Sequence, residues 1–156
     1  MLSGLIERDI VAPSYVYGDG GLMVDALVMT LRGEVAAAKL KDGDRVITRD
    51  AGAIPIAGIR RRKAMMPKVS IKAGSLGHTR PDKDTVLPAG TRIHVRDWRA
   101  EAMFGEGQAN VAAGRLVDGE FIEIDEVTEV ETVQILLDTD HILYVDGLEV
   151  YCPTAL

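Results

Sequence analysis

A chain of 156 residues with 47% apolar content can bury one hydrophobic core, and its mean hydropathy of +0.07 sets it apart from disordered sequences. A net charge of −6 and a pI of about 5.0 argue against a general nucleic-acid binder, which needs a basic face. There is no run of about 18 or more apolar residues, so no membrane-spanning helix is expected.

Residues 1–20 end in the turn signal Gly18-Asp19-Gly20-Gly21 and read as an N-terminal extension packed on a body formed by residues 21–156. Glu7, Arg8 and Asp9 fall where a signal peptide needs apolar residues. A cytoplasmic location, or export without an N-terminal signal peptide, is therefore expected. Aromatics make up only 4% of the chain, so Val, Ile, Leu, Ala and Met must build the core. The single cysteine, Cys152, rules out an internal disulfide.

From 27 to 72, short β-branched runs alternate with turns. Leu27–Thr30, Val46–Thr48, Ile54–Ile59 and Val69–Ile71 read as strands, with a turn at Arg32-Gly33 and a short strand from Glu34. The cluster Arg60 to Lys63 reads as a solvated loop, with local contact to an acidic partner as the alternative. Met65-Met66 reads as a loop edge dipping into the core. Residues 73–84 form a loop by composition, and strands resume at Val86-Leu87 and Arg92–Val95. Residues 97–104 give the one short helix: Asp97 can cap it, Gly105 can end it, and Trp98 is expected to pin it to the sheets. The acidic stretch 120–131 reads as a strand hairpin with Ile122, Ile124, Val127 and Val130 inward. Alternation around Val133, Ile135 and Leu137 predicts a strand. Another is expected at Ile142–Val145, closed by a hairpin turn at Asp146-Gly147. Many short strands without long intervening helices predict an all-β fold.

The order of these motifs resembles the Hint domain, the self-cleaving β-fold of hedgehog C-terminal domains and inteins, in its bacterial stand-alone form. That family opens with Cys-Phe, a Gly-Thr pair, a strand, an Arg-Gly turn and Leu-x-x-Gly-Asp-x-Val. This chain carries Leu27–Thr30, Arg32-Gly33 and Leu40-Lys41-Asp42-Gly43-Asp44-Arg45-Val46. Pro67 to Gly77 is similar to the family's Pro-Val-x-Ile-x-Ala-Gly-x-Leu-Gly run. Asp84 to Phe104 is similar to its second block and short helix. Gly114 to Gly119 is similar to its Leu-Val-x-Gly turn, and Val133 to Val150 to its last block. The resemblance spans roughly residues 21 to 151. It implies a single horseshoe-like β domain with one short helix near 97–104.

The resemblance also implies a chemistry. A Cys or Ser attacks the carbonyl of the preceding peptide bond, which requires contact at about 3 Å, a neighbouring base and donors to the developing oxyanion. In the family a His with a nearby Thr or Ser supports this step, and inteins end in His-Asn. Mapped here, the nucleophile position is Gly21. The family's Ser or Thr falls on Pro88, its His on Thr91 and its terminal pair on Tyr151-Cys152. Pro88 offers neither a hydroxyl nor an N–H, and Thr91 is no base near neutral pH. His141 alone stands at or beside a family histidine. Ser3, Ser14 and Cys152 have no motif around them, and Asp25, in place of the family's glycine, reads as a turn residue.

His78, His94 and His141 lack metal-ligand spacing, and the acidic stretches lack the order of a calcium loop, so neither a metal nor another cofactor is expected. The leading expectation is a non-catalytic structural or protein-interaction module, a subunit of a larger assembly with an unidentified protein partner. The alternatives are an autoprocessing enzyme with a displaced nucleophile and a binder of a small ligand or glycan in the old cleft. That cleft would be lined by Gly21, Thr91, Arg92 and His141. Every version requires Gly21 and Thr91 to lie close together.

Overall fold

The structure is a computed structural model that describes residue 17, residues 20–77 and residues 79–153. The rest of the expected N-terminal extension, with Ser3 and Ser14, and His78 lie outside the described residues.

Fourteen strands form three antiparallel sheets among the described residues. The largest orders β10 (Ala109–Ala112), β9 (Arg92–Val95), β14 (Leu148–Cys152), β13 (His141–Val145), β2 (Leu27–Thr30), β4 (Arg45–Thr48) and β5 (Gly52–Pro55), with β3 (Gly33–Ala36) paired to β2. The second orders β1 (Leu22–Met23), β12 (Thr128–Leu136) and β6 (Gly58–Met66). The third orders β11 (Ile122–Ile124), β7 (Lys68–Ile71) and β8 (Thr85–Pro88). All three sheets feed one apolar core; Val28, Val133 and Val69 are fully buried representatives of each. The fold is all-β, as the strand pattern predicts.

Local chemistry explains the elements. β13 and β14 join through Asp146-Gly147, with φ of 52° and 77°. Two consecutive positive φ values match the right-handed twist of a hairpin. The helix α1 (Trp98–Phe104) is capped by Asp97, which accepts the Arg99 N–H at 3.0 Å. It ends at Gly105 with φ 70°. The Arg32-Gly33 turn and the Leu-x-x-Gly-Asp segment meet directly: the Arg32 guanidinium donates to both Asp44 oxygens at 2.9 and 2.8 Å. The Arg32 hydrogen bonds, with help from the Lys41 N–H, hold the buried Asp44 carboxyl below the usual range.

Four local expectations are corrected. The Ile54–Ile59 strand is two, β5 and β6, parted at Ile56-Ala57. Arg60 to Lys63 and both methionines lie on β6 rather than in a loop. Met66 is buried and Met65 exposed, as the two-residue period of a strand requires. Trp98 is 68% exposed, with the Arg99 guanidinium 4.7 Å from its ring, so Ala100 rather than Trp98 is the helix residue fully buried in the core. Residues 120–131 form no hairpin, since β11 pairs with β7 and β12 with β6. Ile122 and Val130 point inward, whereas Ile124 and Val127 are exposed. Asp25 stands in the turn between β1 and β2, which the Ala26 N–H to Met23 carbonyl bond closes.

Candidate functional site

Gly21 leads into β1, whose residues Leu22 and Met23 pair with Val133 and Thr132 of β12. Its φ of 116° lies where side chains rarely go, and a Cβ there would sit 3.3 Å from the Thr132 Cβ. At Gly20 a Cβ would lie 3.1 Å from the Gly90 carbonyl oxygen. Two glycine-bearing stretches, 20–21 and 90–91, thus cross at backbone contact.

Thr91 is fixed from both sides. Its N–H donates to the Pro88 carbonyl at 3.1 Å, and its carbonyl accepts from Ala113 at 2.9 Å. Its hydroxyl donates to the Gly21 carbonyl at 2.6 Å. The expected proximity of Gly21 and Thr91 is present, as a direct hydrogen bond. Below it the Thr132 hydroxyl is buried without a hydrogen-bond partner among the described residues.

A cleft of about 320 Å³ opens beside this crossing. Gly21, Thr91, Arg92, Tyr151 and Cys152 line it, over a floor that includes Leu143 and Val150. Arg92 lies 5.8 Å from the Tyr151 ring. Burial, then the bond from its hydroxyl to Asp140 at 2.9 Å, raises the Tyr151 phenol above its ordinary pKa. Burial pushes the Cys152 thiol up to about 12, and the thiol donates to the Ile135 carbonyl at 3.3 Å. At neutral pH neither group is ionised, so neither is a base or a ready nucleophile.

The other expected positions fall elsewhere. Pro88 is buried at the end of β8, outside the lining, and supplies only its carbonyl to Thr91. His141 is also outside the lining. It pairs across the ladder with Cys152, but its ring is held by Asp50 and Thr139, each at 2.8 Å. His94 is buried between Asn110 and Gln108. Among the described residues, no imidazole lines the cleft. Nor does any group of three His, Cys, Asp or Glu come together there as metal ligands.

Sequence reasoning missed Arg60, Thr132 and Gln134 at this site. Arg60 and Gln134 line the cleft and hydrogen-bond to each other at 3.3 Å. They arrive on paired strands β6 and β12, and nothing in the local sequence around either reports that pairing.

No curated protein matches the chain. Among solved structures, the solution structure of a bacterial intein-like domain from Clostridium thermocellum is similar, with a TM-score of 0.62 and 16% identity over 86% of this chain and 99% of that one. A splice-inactive variant of the AceL NrdHF class 3 split intein reaches 0.55 at 10% identity, over 88% and 100%. The crystal structure of the gp41-1 intein reaches 0.52 at 14% identity, over 84% and 97%. At these identities the likeness concerns the fold alone. The Hint domain family model, however, matches residues 21–154, most of the chain. This protein belongs to the Hint domain family.

Proposed function

We propose that this Hint domain does not carry out an acyl shift and serves as a structural or protein-interaction module within a larger assembly. One observation carries the reading. At the crossing where the family's attack would take place, a glycine backbone meets a threonine hydroxyl, with Gly21 O and Thr91 Oγ1 2.6 Å apart. Attack on the preceding peptide bond needs a nucleophile and a base within hydrogen-bond reach. Gly21 supplies no side chain, Thr91 is a poor base, and the nearby Cys152 thiol is protonated and turned to the Ile135 carbonyl.

The test is to fuse folded partners to both ends and follow intact mass, with and without added thiol or hydroxylamine. The expected product is the uncut fusion under every condition. Cleavage beside Gly21 that persists with proteases inhibited would overturn the reading in favour of autoprocessing.

The open cleft supports a second reading, a small-ligand site. The space is of ligand size and combines an apolar floor with the Arg60 and Arg92 guanidiniums. Titrating candidate glycans and small organic anions into the protein, followed by amide NMR, decides it. Shifts clustered at residues 90–92 and 133–136 would support the site, and none at millimolar ligand would sink it.

A further inference from the structure

The strand β6 has a feature that the site does not use. Its nine residues pair with β12 along their whole length, from Gly58 with Leu136 to Met66 with Thr128. No described strand pairs with its other side, and outside that ladder no described backbone hydrogen bond involves residues 59–65. An unpaired edge of this length is a template for another strand.

Its side chains select which strand. Arg60, Arg61, Arg62 and Lys63 place four cations in succession on a chain whose net charge is −6. Alternation along the strand sends Arg61 and Lys63 to one face and Arg60 and Arg62 to the other. Arg60, Arg61 and Lys63 are exposed. Some of this charge is engaged within the protein: Arg60 donates to the Gln134 side chain, Arg61 donates to the Ala38 carbonyl, and Lys63 faces Glu131 across the ladder. A guanidinium has five donors, so one internal bond leaves it able to bind another acceptor. Two copies of this edge would set cation against cation, which disfavours self-pairing. An acidic strand meets the opposite condition. Nucleic acid is disfavoured by the overall acidity and by the absence of any aromatic residue on β6 for base stacking.

We propose that the outer edge of β6 binds an acidic, extended segment of a partner protein, which adds to the sheet as a further strand. This rests on the reading of the chain as an interaction module and names the partner's chemistry. The two fail separately, because intact mass reports cleavage whereas the assay below reports strand addition.

The probe is a fluorescein-labelled peptide of alternating glutamate and threonine, nine residues long to match β6, titrated into the full chain at low salt. Three comparators go with it: the same peptide N-methylated at alternate amides, a lysine-for-glutamate version, and a short oligothymidylate. The expected result is saturable binding of the acidic peptide, at least tenfold weaker for the first two comparators and for the Arg61→Glu/Lys63→Glu variant. Hydrogen exchange of the unmodified protein should slow at residues 59–65 when peptide is added. That readout needs no variant, so it stands even if the double substitution fails to fold. Equal binding of the methylated peptide would reduce the effect to charge and overturn the proposal. So would preference for the oligothymidylate, absence of binding, or unchanged exchange along β6.

Discussion

A side chain placed at Gly21 tests whether this backbone can still hold a nucleophile. Two costs follow from the geometry. At φ 116° any L-residue is strained, at about 1–3 kcal/mol. The new Cβ also meets the Thr132 Cβ at 3.3 Å and its hydroxyl at 3.4 Å, inside a packed region, which adds about 1 kcal/mol. Gly21→Ala should therefore lose about 2–4 kcal/mol of unfolding free energy in urea. At roughly 2–4 °C per kcal/mol for a domain of this size, the melting temperature should fall by roughly 4–16 °C. Adding Thr132→Ala removes the hydroxyl contact but leaves the Cβ contact and the strain, so the pair should recover less than about 1 kcal/mol in a double-mutant cycle, and Thr132→Gly should recover more. Gly21→Cys should show the same destabilisation, and its fusion should keep its full mass, because Thr91 gives the thiol no base. Two results would refute this: Gly21→Ala within about 0.5 kcal/mol of the parent, or Gly21→Cys that cleaves at the peptide bond preceding position 21.

Other perturbations probe different groups. Thr132→Val replaces a buried, unpartnered hydroxyl with a methyl of similar shape and should stabilise by about 1 kcal/mol in urea melts; a loss of that size would mean the hydroxyl has a partner. Glu149 is buried beneath three guanidiniums, with Arg96 bound through both oxygens at 2.9 and 2.8 Å, Arg80 at 3.2 Å and Arg49 at 3.5 Å. Burial alone would raise its pKa, but the Arg96 hydrogen bonds and the three positive charges outweigh that and lower it. Its stabilising contribution is therefore complete above the ordinary glutamate range and fades as pH falls through the lowered native value. Glu149→Gln should cost about 2–4 kcal/mol at pH 7, toward the low end because the arginines are one-third exposed, and it should flatten the acid limb of stability against pH. An unchanged acid limb would mean the cluster contributes little. Cys152 should resist iodoacetamide at pH 8 in the native protein and react fully in denaturant; fast native labelling would contradict the burial that raises its pKa.

Local order was legible in the sequence, while partnership between distant strands was not. The Asp146-Gly147 hairpin, the Asp97 cap and the Gly105 stop are each set by one or two residues, so composition reveals them. Arg32 and Asp44 were legible as framework positions through the family resemblance, though not as a bidentate pair. β6 failed for a physical reason. An edge strand exposes both the backbone and alternate side chains, so it tolerates four cations in a row where a central strand would show apolar alternation. Trp98 misled because size suggests burial, yet a ring can satisfy itself at the surface against a neighbouring guanidinium. At the site, the meeting of Gly21 with Thr91 was legible, but the surroundings were not. Thr132 and Gln134 reach the crossing only through the pairing of β1 and β6 with β12.

Under the proposed reading, the crossing carries structure rather than chemistry. Had only the reactive atoms been removed, the place of the nucleophile and base would be slack, with polar groups left facing solvent. Here the Gly21 carbonyl has a short donor, Gly20 packs against the Gly90 backbone, and the 89–91 turn is fixed by the Ala113 and Gly114 amides. A larger residue at 91 would have to give up the hydroxyl bond that joins two segments distant in sequence. On the proposed reading, closure of the crossing and the missing acyl shift have the same cause in the residues at 20, 21, 90 and 91. That supports a crossing that acts as a structural tie between distant segments. It also means that placing a nucleophile at position 21 alone should cost stability without producing an acyl shift.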